Sequence, residues 1–201
     1  SLHPLHPSVA RQCGRLLCHV DQSLKLTERI AACFQDGRNP DLIEHSVRTL
    51  VLQRVVRIAL GYEDLNDHDQ LRRDPVLATL AGKWVARRKG CEALTGKSTL
   101  NRLEHAAGDG KPTRHHTISH DPKAFEALFV DCFIEAHTQA PDEIVLDPDA
   151  TDDPLHGQQE GRFFHGYYPE YGYLPLYITC GRHLLAAQLR CANVDGAAGS
   201  V

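Results

Sequence analysis

The chain has 201 residues, 42% hydrophobic and 24% charged, ordinary globular proportions that exclude disorder, collagen and coiled coil as the main architecture. Its apolar runs are short and broken by charge, far below the roughly 18–20 residues of a membrane-spanning helix, and no basic stretch precedes an apolar one at Ser1 as a signal peptide requires. The formal charge of -4 is uneven: Ser1 to Ala106 carries 16 Lys+Arg against 12 Asp+Glu, and Ala107 to Val201 carries 6 against 14. A basic half joined to an acidic half suits one part that holds a polyanion and another that holds cations, although surface charge also drifts along chains for no functional reason. Methionine is absent, even at position 1, which reads as a clipped start. The seven cysteines (13, 18, 33, 91, 132, 180 and 191) include no CxxC. With Cys33 and Cys132 on apolar helical faces, they read as reduced thiols of a cytoplasmic protein.

In chain order, a helix is expected from about Ser8 to Phe34, broken near Ser23 and ended by Asp36-Gly37. Asn39 caps a second helix with Pro40 at its first position; Ile43, Val47, Leu50, Val51, Val55 and Ile58 form its apolar stripe, and Gly61 closes it. Shorter helices fit Asp64 to Leu71 and Pro75 to Ala81, and Ser98 can cap another that carries Leu100, Leu103 and Ala107. Gly108 to His120 reads as a linker or exposed loop. Asp121-Pro122 starts a helix with Phe125, Leu128, Phe129, Cys132, Phe133 and Ala136 on one stripe. After Pro141 the character changes to strand: EIVLD, RFFHGYYP, YLPLYITCG and, past Gly181-Arg182, HLLAAQLRC read as an antiparallel meander.

The stretch IVLDPDATDDP carries the strongest chemical signal. On a strand, Val145, Asp147 and Asp149 share one face. Two carboxylates on one face are costly unless solvated, paired or bound to a cation, and hard ions such as Mg²⁺ take carboxylates at sites that keep open water positions. A polar turn flanked by Pro148 is the plainer alternative. GCEALTGKST resembles a phosphate loop, but Cys91 to Thr95 lie between the glycines, one residue more than that loop allows. A short capped helix is the better account, and the cations around it (Arg87, Arg88, Lys89, Lys97 and Arg102) suit DNA phosphates. His115, His116 and His120 lack ligands at metal-binding spacing and read as loop. Tyr167, Tyr168, Tyr171, Tyr173 and Tyr177 stand near Arg162 and His165; they suit either sheet packing or stacking on unpaired bases.

LQRVVRIALGYEDLNDHDQLRRDP, STLNRLE, VLDPDATDDPLHGQQEGRFFHGYY and YLPLYITCGRHLLAAQLR with NVDGAAG together resemble the N-terminal part of a bacterial insertion-sequence transposase. The class is DDE, RNase H-like, specifically the thirteen-eighty group. The resemblance implies an α+β chain: a helical DNA-binding region over 1–107, a linker over 108–120, and the first strands of an RNase H-like catalytic domain from 121 to 201. It places the first metal-binding aspartate at Asp149, with Asp147 as runner-up, and implies Mg²⁺ or Mn²⁺ as cofactor. Asp149 is then expected at the open end of the sheet, beside Asp147 or Asp153, with no Lys or Arg neutralising it. The implied reaction is metal-dependent strand cleavage and strand transfer. The implied partners are double-stranded DNA at element ends and target, and further copies of the full-length protein, in a bacterial cytoplasm near the nucleoid and away from membranes. The second aspartate and the glutamate of the triad are expected beyond Val201, which makes this chain a fragment that is inactive alone. A regulatory DNA-binding module derived from a transposase is the alternative, and an unrelated hydrolase built on Asp147, Asp149, Asp153 and His156 a more distant one.

Overall fold

The computed structural model describes residues 7–83, 85–108, 117–155, 157–158 and 161–199, with side chains described from Cys13 onward. Its fold is α+β: helices come first and antiparallel sheets follow. The chain divides into two compact units, Ser1–Pro122 and Lys123–Val201. Among the described residues no helix is long and apolar enough to cross a membrane.

The first unit opens with α1 (Pro7–Leu24) and α2 (Leu26–Ala32). The break falls at Lys25, which takes a left-handed φ of 52°. Asp21 makes this turn a cap: its carboxylate accepts from the Thr27 amide at 2.7 Å and the Thr27 hydroxyl at 2.6 Å, so one of the first amides of α2 finds an acceptor on the preceding helix. Asn39-Pro40 starts only a 3-10 turn, Pro40–Leu42. The long helix, α3 (Val47–Ala59), begins after Ser46, whose hydroxyl accepts from the Thr49 amide at 3.2 Å. A 3-10 turn (Leu65–Asp67), α4 (His68–Leu71) and α5 (Pro75–Leu80) follow, the last capped by Asp74. Helix α6 (Lys97–Glu104) starts after Gly96 rather than at Ser98.

The expected stripe of α3 holds only in its first half. Val47, Leu50 and Val51 pack with Leu100, Leu103, Ala106 and Ile118 in one core cluster. Leu52, Val56 and Leu60 pack with Leu77, Ala78 and Leu94 in a second. Val55 and Ile58 are exposed, whereas Gln53 and Arg57 are buried. A helix covered on two sides needs no single stripe.

The reading of Gly108 to His120 as loop is corrected at its end. Ile118–His120 forms a strand, β2, antiparallel to β1 (Phe34–Asp36), with Gln35 opposite Ser119. Ile118, 2% exposed, joins the α3 core, and that single apolar anchor seats the strand. His115 and His116 lie outside the described residues.

The second unit carries α7 (Pro122–Glu135), which buries Leu128 and Phe133. Glu143 to Leu146 is not strand, and Ile144, Val145 and Leu146 are exposed. The first strand, β3, is Asp147–Ala150. It is followed by β4 (Asp153–Pro154), β5 (Phe163–His165), β6 (Glu170–Tyr173), β7 (Leu176–Cys180) and β8 (His183–Gln188). The expected meander is replaced by two three-stranded antiparallel sheets, ordered β3-β7-β8 and β4-β6-β5. Successive stretches of one extended segment, β3 and β4, pair with β7 and β6 in turn, and the Thr151 amide bonds the Pro175 carbonyl at 2.9 Å between them. Gly181, at φ 58°, turns β7 into β8 with Cys180 opposite His183, a position in a two-residue hairpin that favours glycine.

Candidate functional site

Strand β3 lies at the edge of its sheet, which is where a strand proline such as Pro148 is tolerated. Asp147 stands opposite Thr179 and Asp149 opposite Tyr177. Residues two apart on a strand share a face, so Asp147, Asp149, Thr179 and Tyr177 lie on one side. Pro148, Ala150, Ile178 and the buried Leu176 lie on the other. The acidic face is wet: both aspartates are exposed, and among the described residues neither has a Lys or Arg partner. The Thr151 hydroxyl donates to Asp149 Oδ2 at 3.5 Å. Asp153, in β4 opposite Tyr173, is also exposed. Two carboxylates on one face, without a Lys or Arg partner among the described residues, are hard oxygen donors of the kind Mg²⁺ or Mn²⁺ takes. Among the described residues no group of three or more His, Cys, Asp or Glu gathers closely enough to hold a metal ion.

The cations singled out in the sequence divide into four places. Arg87, Arg88 and Lys89 sit on an exposed loop after α5. Glu44 anchors that loop: Oε1 accepts from the Arg87 amide at 2.7 Å and Oε2 from the Arg88 amide at 2.8 Å. The Arg88 guanidinium reaches the Leu42 carbonyl at 3.1 Å. Arg102, exposed on α6, lines a cleft of about 330 Å³ with Arg38, Glu44, His45, Thr99 and Thr117. Lys97 instead turns to α4 and its flank, bonding Asn66 Oδ1 at 3.0 Å and lying 3.9 Å from Asp69. Arg162 belongs to the second unit; it donates to the Gly157 carbonyl and lies over the Tyr171 ring at 4.8 Å from its centroid. Phe164 meets Tyr171 edge-on at 5.4 Å, and Tyr167 is 81% exposed.

Lys83 is the polar centre that sequence reasoning missed. Its ammonium donates to the Glu44 carbonyl at 2.5 Å and to Glu44 Oε1 at 2.6 Å, and lies 3.1 Å from His45 Nδ1. An ammonium has only donors, so Nδ1 accepts and His45 is neutral. Burial lowers the His45 pKa and the Lys83 charge lowers it further, to about 4. Burial by itself raises the Glu44 carboxyl; the hydrogen bonds from Lys83 and the two amides, with the Lys83 charge, outweigh it and hold the group at about 2. The only sequence signals for this cluster were an isolated glutamate and lysine in helix-flanking turns.

Deeper in the same unit, Gln53 Nε2 donates to the Thr95 carbonyl at 2.8 Å and lies 3.3 Å from His68 Nδ1. Burial and the neighbouring Arg57 and Arg54 charges lower the His68 pKa to about 3. Arg57, fully buried, is lowered to about 10 by burial, against the attraction of Asp74 and Asp67. His120, once grouped with the loop histidines, is fixed in β2, its Nδ1 3.0 Å from the Ala106 carbonyl. In the second unit Arg190 gathers NVDGAAG: Nε donates to the Leu174 carbonyl at 2.9 Å, Nη2 to the Gly196 carbonyl at 3.2 Å, and Nη1 to the Ala198 carbonyl. The seven cysteines are free thiols.

Comparison with known proteins adds one match. The family model described as transposase DDE domain, group 1, covers residues 10–201, which includes both units and the β3 aspartates. No curated protein and no solved structure matches the chain. With the match spanning all but nine residues at the start, the chain belongs to the transposase DDE domain family.

Proposed function

We propose that this chain is part of a bacterial insertion-sequence transposase of the thirteen-eighty group, with an RNase H-like second unit. In this reading Asp149, with Asp147 beside it, contributes carboxylates to a Mg²⁺ or Mn²⁺ site. The first unit holds duplex DNA through Arg87, Arg88, Lys89, Arg102 and Lys97, and Arg162 contacts DNA from the second unit. The observation that carries it is the family match across residues 10–201 together with two exposed carboxylates on one face of β3 that no cation neutralises among the described residues. A bound divalent ion would supply charge stabilisation to the attacking and leaving oxygens at phosphorus. The aspartates would hold it, and Tyr177 and Thr179 border the face on which they stand.

Asp149 supplies one carboxylate of a DDE triad, with Asp147 the runner-up for the same position, so these residues by themselves are expected to bind the ion weakly and to leave DNA uncut. Full-length copies would assemble on element ends and target. The basic first half also supports a second reading, a regulatory module that occupies DNA without cutting it. Mn²⁺ binding, run beside plasmid nicking and duplex binding at several salt concentrations, separates the two. Mn²⁺ binding or nicking that Asp149→Ala abolishes supports the transposase reading; salt-sensitive duplex binding with no Asp149-dependent Mn²⁺ binding supports the module. Absence of salt-sensitive binding to any duplex would contradict both.

A further inference from the structure

We propose that Glu44 is a positioning residue for DNA phosphate: it shapes the Arg87–Lys89 loop so that the loop's cations face the duplex backbone. The proposal rests on the reading that this loop contacts DNA. An acidic side chain beside three cations would ordinarily weaken phosphate binding, because it cancels charge at close range. Glu44 is arranged differently. Its side chain is 8% exposed, and its carboxylate faces inward to Lys83 Nζ at 2.6 Å. Two successive amides also donate to it, Arg87 at 2.7 Å and Arg88 at 2.8 Å.

Consecutive amides converging on one carboxylate fix the backbone between them, as in other anion-holding turns. With Lys83 balancing Glu44, Arg87, Arg88 and Lys89 keep exposed charges that no acidic side chain pairs among the described residues. Arg88 is further steered by the Leu42 carbonyl at 3.1 Å. Glu44 also forms a wall of the cleft that Arg38, His45 and Arg102 line, so one side chain ties the loop to the neighbouring cations. Lys83 spends all three ammonium hydrogens inside this arrangement, on the Glu44 carbonyl, the Glu44 carboxylate and His45. It is a strut and leaves no donor for a phosphate.

The test is duplex-DNA binding by the whole chain, followed by fluorescence anisotropy across a salt series. Five proteins are compared: the unaltered chain, Glu44→Ala, Glu44→Gln, the triple variant Arg87→Ala/Arg88→Ala/Lys89→Ala, and the triple variant combined with Glu44→Ala. The triple variant is expected to bind about ten- to a hundredfold more weakly, with a salt slope reduced by about two to three. Glu44→Ala is expected to bind about three- to tenfold more weakly, with the slope reduced by about one, although it removes a negative charge. The combination is expected to match the triple variant, since nothing is left to position. Glu44→Gln, which keeps one acceptor oxygen, is expected to lie between Glu44→Ala and the unaltered chain, and it carries the test if Glu44→Ala does not fold. Unchanged or tighter binding by the folded Glu44 variant, or a further loss in the combination, overturns the positioning role. If the triple variant binds as the unaltered chain does, the loop is not a DNA contact, and both that reading and this proposal fall. A weakened triple variant beside an unaffected Glu44 variant removes only the proposal.

Discussion

Gln53 and Thr95 close a two-way hydrogen bond inside the first unit: the Thr95 amide donates to Gln53 Oε1 at 3.1 Å, and Gln53 Nε2 donates to the Thr95 carbonyl at 2.8 Å. The residues are 42 positions apart, with Gln53 3% and Thr95 4% exposed. This side chain supplies the strand-like pairing that the segment before α6 lacks.

Replacing it therefore exposes two backbone groups to burial without a partner. Gln53→Leu keeps comparable volume but strands the Thr95 amide and carbonyl, at a cost of about 2–4 kcal/mol. Urea unfolding of the variant measures it. A loss under about 0.5 kcal/mol, the range of ordinary surface changes, would show that the pair is not needed.

The two neutral imidazoles make stability depend on pH. His45 titrates at about 4 and His68 at about 3 when folded, against 6.5 for a free histidine. The unfolded chain thus binds protons that the folded chain refuses. Their contribution is complete above pH 6.5 and declines as the pH falls towards 4 and then 3. Each site costs about 1.4 kcal/mol per pH unit inside its window. Glu44 adds its own loss lower down, between 4.5 and about 2. Urea midpoints at pH 7, 6 and 5 should fall steadily, and less steeply in His45→Gln. A flat profile from pH 7 to 5 would contradict neutral burial of both rings.

Gly172 lies on the central strand of the β4-β6-β5 sheet, opposite Pro154 and Phe163. A Cβ there would meet the Asp153 carbonyl oxygen well inside contact distance, with the Asp153 carbonyl carbon at 3.1 Å and Pro154 Cα at 3.3 Å. These are backbone atoms, which cannot swing aside as a side chain would. Gly172→Ala is expected to cost about 1–3 kcal/mol by overpacking and to loosen β4 beside the aspartates. Amide exchange of Leu155, which bonds the Tyr171 carbonyl at 2.9 Å, reports that loosening; unchanged exchange would show that the strands absorb the methyl group.

Features set by neighbours in sequence were legible beforehand. Asp74-Pro75 starts a capped helix and Gly181 turns a hairpin, because cap and turn chemistry acts over two or three residues. The shared face of Asp147 and Asp149 followed from alternation alone. Long-range partners were not legible. Asn39-Pro40 carries a full cap signal, yet the helix waits until Ser46, whose hydroxyl provides a second one. Residues Ile118 to His120 became strand because Phe34 to Asp36 lies alongside. Gln53 and Arg57 went inside because α3 is enclosed on two sides, a fact its own periodicity does not carry. Glu44 meets Lys83 and Arg88 at separations of 39 and 44 residues, and no local pattern announces that.

The proposed divalent-cation site on the Asp149 face of β3 can be measured without requiring DNA cleavage. Paramagnetic Mn²⁺ titrated into the isotopically labelled chain should broaden amide signals most strongly around Asp147 and Asp149, and next at Tyr177 and Thr179, their cross-strand neighbours. Excess Mg²⁺ should reverse the broadening and Asp149→Asn should weaken it, while the exposed Asp149→Asn change itself alters stability by less than about 0.5 kcal/mol. Broadening that spreads evenly over the acidic surface, or that survives Asp149→Asn unchanged, would show that the Asp149 face holds no specific cation site.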